Sequence, residues 1–276
     1  MAERKEYILV TKKNGVTTLT MNNPKKLNGW TLPMMDAFKQ ALNDAASDNE
    51  TKVVVFTGTG KYYSAGVNLG GTIKVMHPKA LHKMIKNHNQ TLFETFLDFP
   101  KPILAAVNGP AIGASVTTAT LCNAILASEN ATFSTPFARL GVPAEGCSSV
   151  HFARLMGEDT AERMLGKEGW APNGKEALDV GLAQYLASPD ALTDEAQRIA
   201  EEWIEQGVER SFQAGGTLEE FKAVNERESQ EIADAFLDSP FLKNQFKFLW
   251  SKKKHVPAAI FLTLWLTRPA WSLLLK

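Results

Sequence analysis

Residues 7–10, YILV, and 16–21, VTTLTM, are short stretches rich in apolar and β-branched residues. They predict two strands, and Asn14-Gly15 between them predicts a tight hairpin turn. Short uninterrupted runs of β-branched and small apolar residues follow at 53–57, 103–107 and 124–127, with a brief one at 132–133. They are too short for helices and predict buried strands. Between them the period changes to that of a helix, over 31–46 with Thr31 as the N-cap, over 78–99 and over 114–121. Strand followed by helix, repeated, is the rhythm of a parallel sheet with right-handed crossovers. From Ser148 onward helical periodicity dominates: 148–156, 160–165, 174–180, 194–206, 217–237 and 240–249. The pattern predicts an α/β core with a mainly helical layer after it. No internal repeat interrupts it.

The tail departs from this pattern. Residues 256–266, VPAAIFLTLWL, are continuously apolar, and Thr-Arg-Pro and AWSLLLK follow. The run is shorter than the roughly 20 apolar residues that span a bilayer. It reads as a helix packed on the body or on a second subunit. With Lys252, Lys253 and Lys254 just before it, it also reads as a peripheral membrane contact.

Composition narrows the classes. The 276 residues allow one large domain, or one with a smaller helical piece. The 30 basic and 30 acidic side chains cancel, so no overall field favours nucleic acid or an anionic membrane. Two cysteines, Cys122 and Cys147, make neither a disulfide framework nor a zinc site. The opening MAERKEYILV has no apolar signal core or transit-peptide character, and the chain does not end in the peroxisomal Ser-Lys-Leu. His77, His82, His88 and His255 have no metal-ligand spacing.

Candidate chemistry lies in two strand-to-helix turns, YYSAGVNLGG (62–71) and VNGPAIGASVTTA (107–119). Each puts glycine at a strand's carboxyl end, the edge where open α/β sheets bind ligands. Gly66 could leave the Val67 N–H unpaired, and Gly113 could do so for Ala114 at a helix start. Two such donors aimed at one point form an oxyanion hole. Taken singly, either glycine serves a turn equally well. Neither turn is a dinucleotide fingerprint or a P-loop.

Further on, VPAEGCSSVHF (142–152) holds one glutamate, Glu145, where a helical pattern begins. A helix-start carboxylate and a catalytic base both fit that position. Ser148 and Ser149 read as helix N-terminal residues, and Cys147 as a small buried side chain.

Together, NNPKKLNGWT, VVVFTGTGKYYSAGVNL, PKPILAAVNGPAIGAS and ATFSTPFARLGVPAEG resemble the enoyl-CoA hydratase/isomerase (crotonase) superfamily, over about residues 7–249. The resemblance implies an α/β fold with a crotonase-like ββα spiral core over 1–200. It also implies a helical C-terminal trimerisation region over 201–254, which leaves 255–276 as an atypical apolar tail. It implies an acyl-CoA substrate, a homotrimer or dimer of trimers, no nucleic-acid partner, and no cofactor, since CoA belongs to the substrate.

The residue roles carried over follow from the same likeness. Val67 and Ala114 would hold the thioester oxygen through their N–H groups. Ser64, Ala65, Gly66, Val67, Asn68 and Leu69, with Gly113, would line the substrate, and Lys25, Lys26 and Leu27 would run past the CoA nucleotide. The two glutamates of hydratases fall on Thr117 and Phe137, so the machinery for adding water is missing. The Glu-Gly-Cys-Ser-Ser context of Glu145 looks like that of peroxisomal-type Δ3,Δ2-enoyl-CoA isomerases, although Pro-Ala-Glu here replaces Pro-Glu. That likeness implies a single glutamate carrying a proton from C2 to C4, with Phe137 and Val142 supplying the apolar surroundings. It implies a peroxisomal or mitochondrial location. Another enolate chemistry, or acyl-CoA binding without turnover, also fits one acid and one oxyanion hole.

Overall fold

The computed structural model describes residues 6–68 and 76–275. The expected hairpin forms: β1 (Ile8–Lys13) pairs antiparallel with β2 (Val16–Met21), and Asn14 and Gly15 both take positive φ in the turn. The buried runs give β3 (Val53–Gly58), β4 (Ile103–Val107) and β6 (Ala124–Ser128). A strand not foreseen, β8 (Tyr185–Ala187), completes a six-stranded sheet of order β1-β2-β3-β4-β6-β8. Beyond the first pair every neighbour is parallel. Three residues between helices were too short a stretch to show a period.

A two-stranded sheet joins β5 (Ala111–Ile112) to β7 (Phe133–Ser134). Its small size conceals its use. Ala111 also bridges Ser64, and the Ile112 N–H donates to the Ser64 carbonyl at 3.0 Å. The two glycine turns are therefore stitched side by side.

On one face of the sheet lie α1 (Leu32–Ser47), α2 (Pro78–Leu97) and α3 (Ala114–Thr120). Thr31 does occupy the N-cap of α1, but its side chain makes no capping bond. Trp30, Phe38, Phe56 and Phe96 meet at ring centroids 5.1–6.0 Å apart and are all buried. Each such ring contributes about 1.5–3 kcal/mol by leaving water. This cluster fixes α1 and α2 on the sheet and makes α2 a firm wall for the site. The other face is covered by α8 (Leu192–Glu205) through Leu192, Ala196, Ile199 and Trp203.

The remaining helices are α4 (Phe137–Leu140), α5 (Ser148–Met156), α6 (Glu158–Leu165), α7 (Gly174–Asp179), α9 (Leu218–Phe236), α10 (Ser239–Ser251) and α11 (His255–Trp271). The single turn α4 carries no sequence period and was not anticipated. The tail corrects an expectation. The helical stretch runs on through Arg268 and Pro269 to Leu275, 21 residues in all, and by length and composition reaches a membrane span. In the structure it folds back on α10, and Trp271 and Leu275 pack near Leu81, Ile85 and Leu237.

Candidate active site

A cavity of about 290 Å³ opens where the two glycine turns meet α2, α4 and α9. Ala65, Gly66 and Val67 come from the first turn, and Ile112, Gly113 and Ala114 from the second. Helix α2 supplies Met84, Ile85, His88, Asn89 and Leu92; α9 supplies Ile232 and Phe236. Phe137, Leu140 and Val142 close the far side. At the lower end of the usual ligand-pocket range of about 300–1,000 Å³, it can take an acyl thioester end but not a whole nucleotide.

The turns converge because glycine lets them. Gly66 has φ +72°, and a Cβ there would lie 2.3 Å from the Ile112 carbonyl oxygen and 3.9 Å from the Ala114 nitrogen. Any side chain would drive the turns apart. The Gly66 carbonyl accepts the Trp30 N–H and its N–H donates to the Ser64 hydroxyl, which in turn donates to the Asn28 carbonyl. Gly113, φ +60°, starts α3, and its N–H donates to the Ser134 carbonyl. Among the described residues neither the Val67 nor the Ala114 N–H has a protein acceptor. Both residues line the cavity, so these are the donors a ligand oxygen would meet.

Other expected residues fall differently. Ser64 is fully buried and serves the turn, and Asn68 is exposed, its N–H on the Trp30 carbonyl. Lys25, Lys26 and Leu27 are exposed beside the turn, with the Leu27 carbonyl accepting the Ala65 N–H at 2.9 Å, but none lines the cavity. Leu69 lies outside the described residues.

Glu145 is the only carboxylate among the described residues lining the cavity. It stands three residues ahead of α5 and is not the acid of that helix start. Gly146 (φ +65°) and Cys147 (φ +66°) turn the chain sharply between them. A Cβ on Gly146 would meet the Phe93 ring at 2.4 Å and the Thr117 hydroxyl at 2.6 Å. The backbone beside Glu145 is thus pressed against α2 and α3.

The helix-start acid is instead Glu228, reaching across from α9. It accepts the Cys147 N–H at 2.6 Å and the Ser149 N–H at 3.0 Å, and it is fully buried. A non-glycine residue at positive φ costs roughly 1–2 kcal/mol; the Cys147 N–H bond to a carboxylate offsets that. Ser148 starts α5 as expected, its hydroxyl on the Glu145 carbonyl at 2.7 Å. His151 faces away, bonded to the Gln213 carbonyl.

The Glu145 carboxyl accepts the Asn89 amide N–H at 2.7 Å. Asn89 is held from behind by the Ser229 hydroxyl at 2.9 Å, and Asn225 ties the same helix pair together through the Gln90 carbonyl. Burial pushes the Glu145 carboxyl up to about 7, the Asn89 bond holds it down, and the Glu228 charge pushes it up again. Its remaining exposure opens on the cavity, whose walls are largely apolar. Burial also holds the His88 imidazole below its ordinary range in the same wall. Thr117 is buried with its hydroxyl on the Ala114 carbonyl, and Phe137 lines the cavity as a ring.

Asn89 and Glu228 were not foreseen, yet a signal existed. Leu81, Ile85 and Asn89 are four apart on one helix face, and Phe221, Asn225, Glu228 and Ile232 share another. A polar residue in an apolar stripe marks a buried hydrogen bond.

Residues 11–247 match the sequence model of the enoyl-CoA hydratase/isomerase family. The chain belongs to that family. Enoyl-CoA delta isomerase 2 of Rattus norvegicus is 33% identical over 92% of this chain and 66% of its own length. The chain thus spans about two-thirds of that relative. Peroxisomal enoyl-CoA delta isomerase 3 of Mus musculus is 32% identical over 89% of this chain and 82% of its own. The crystal structure of an enoyl-CoA hydratase/isomerase from Pseudoalteromonas atlantica superposes with a TM-score of 0.74 at 25% identity, covering 89% of this chain and 97% of that one. The crotonase fold expected from the motifs is therefore present in this enoyl-CoA hydratase/isomerase family member.

Proposed function

We propose that this chain is a Δ3,Δ2-enoyl-CoA isomerase, moving the double bond of an unsaturated acyl-CoA from C3 to C2. The observation that carries the proposal is that Glu145, the one carboxylate among the described residues lining the cavity, shares that cavity with Val67 and Ala114, whose N–H groups have no protein acceptor among the described residues. Moving the bond requires a proton to leave C2 and one to return at C4. A single carboxylate beside both carbons can do each step. Glu145 takes the C2 proton, and the electron pair passes through the thioester to its oxygen. The Val67 and Ala114 N–H groups would stabilise the resulting dienolate; one such donor contributes about 3–4 kcal/mol where its removal has been measured. The protonated Glu145 then gives its proton to C4. Atoms and electrons balance with no redox partner and no cofactor.

A carboxyl near pH 7 suits both halves of this cycle, since it must be ionised to begin and acidic enough to finish. Thr117 and Phe137 leave no second carboxylate to activate water. Two relatives named as enoyl-CoA delta isomerases support the same choice. The peroxisomal name of one of them supports a peroxisomal location. On this reading the cavity takes the acyl thioester and the nucleotide lies outside it, and the exposed Lys25 and Lys26 are the residues we propose to meet the nucleotide. The assembly we expect is a homotrimer or dimer of trimers.

The test gives the protein 3-hexenoyl-CoA and 2-hexenoyl-CoA in parallel, following double-bond shift and water addition separately. Isomerisation of the first with little hydration of the second is expected. Hydration as the faster reaction, or binding with no turnover, would overturn the proposal.

A further inference from the structure

The charge of this chain is divided unevenly. Of its 30 Lys and Arg residues seven lie within 239–276, and none of its 30 Asp and Glu residues does. The tail therefore carries +7 and the preceding 238 residues −7, a separation that the neutral total conceals.

The structure concentrates part of that charge at one place. Helices α10 and α11 form an antiparallel pair joined by a turn at Lys252–Lys254. On the α10 side of the turn Phe248 is 50% and Trp250 54% exposed; on the α11 side Val256 is 78% exposed. The Trp250 and His255 rings meet at 4.8 Å, which brings the two flanks together at the tip. Lys247, Lys252, Lys253 and Lys254 surround them, all exposed and none with an acidic partner among the described residues. Arg268 differs, because Asp238 pairs with it at 2.7 Å. Seven of the twelve large apolar side chains exposed among the described residues belong to the stretch 248–274.

We propose that the α10–α11 tip docks on an anionic lipid bilayer. Large apolar side chains ringed by lysines are the chemistry of an interfacial anchor: the rings and Val256 enter the headgroup boundary while the ammonium groups meet lipid charge. Tip-to-tip contact between two copies would set lysine against lysine, since residues 239–276 hold no acid. The far end of the tail packs on the body through Trp271 and Leu275, so the tip can dock while α11 stays folded on the molecule. The proposal stands apart from the reaction assigned to the cavity.

The experiment uses the full chain and phosphatidylcholine vesicles with and without phosphatidylserine. Co-sedimentation is expected with the anionic vesicles and not with the neutral ones, and added salt should reverse it. Lys252→Gln/Lys253→Gln/Lys254→Gln should weaken it about tenfold or more. Trp250→Ala should weaken it too, with the mass of the assembly in sedimentation and the turnover of 3-hexenoyl-CoA both unchanged. Equal recovery with both vesicle types, or binding indifferent to salt, would overturn the proposal. So would a Trp250→Ala protein whose assembly falls apart, since the tip would then be covered by another copy.

Discussion

Replacing Asn89 by alanine should move the pH dependence of the enzyme, in a direction the structure fixes. The Asn89 amide donates to Glu145 at 2.7 Å and favours the charged carboxylate. A hydrogen bond to a charged group is worth about 1.5–3 kcal/mol, and 1.36 kcal/mol corresponds to one pH unit. Its loss should raise the acid limb of kcat/KM from about pH 7 by about one to two units. At pH 7 the ionised share of Glu145 then falls from about one half to between one tenth and one hundredth. That is a loss of about 5- to 50-fold in kcat/KM, recovered at alkaline pH. The assay is a pH–rate profile of 3-hexenoyl-CoA isomerisation by wild type and Asn89→Ala. Ser229→Ala, which leaves the amide in place, should shift the limb less. A uniform fall at every pH, with the limb unmoved, would refute the reasoning and leave Asn89 a packing residue.

Other outcomes follow from the same geometry. Glu228→Gln removes a charge that raises the Glu145 pKa, so its acid limb should move to lower pH. It should also destabilise the fold by about 1–3 kcal/mol through the Cys147 and Ser149 N–H groups, readable by urea unfolding. Glu145 is raised from 4.5 to about 7 by folding, so the stability its proton contributes is full below pH 4.5 and lost as pH rises through 7. Glu145→Gln should therefore unfold like wild type near pH 4.5 and be more stable by up to about 3 kcal/mol above pH 8 in thermal melts. Gly113→Ala meets no atom within 4 Å and should cost only the strain of its φ +60°, ψ −127° backbone, about 1–3 kcal/mol. Gly66→Ala meets the Ile112 oxygen and should cost more stability and most of the turnover.

Five of the six strands in the main sheet were legible as short runs rich in apolar and β-branched residues, a pattern that burial imposes. Residues 16–21 appeared as a strand with those bounds. The strand β8 and the turn α4 were not legible, being too short for a period to show. Glu145 stood out through local context and through what Thr117 and Phe137 are not. Its electrostatic partners did not: Asn89 lies 56 residues before it, and Ser229, which holds Asn89, lies 140 residues after Asn89. Only the packing of α2 against α9 brings them together. The apolar tail was visible as a run, but the helix extends past Arg268 and Pro269 because packing of Trp271 and Leu275 overrides the proline.

The central claim is that one carboxylate moves the proton. Its most direct test is Glu145→Gln, measured at pH 8 for turnover of 3-hexenoyl-CoA and, separately, for binding of the CoA ester. A general acid–base group contributes about 10²- to 10⁴-fold. We expect kcat to fall at least that far while the dissociation constant stays within a few-fold of wild type. Turnover within tenfold of wild type, with binding intact, would contradict the account.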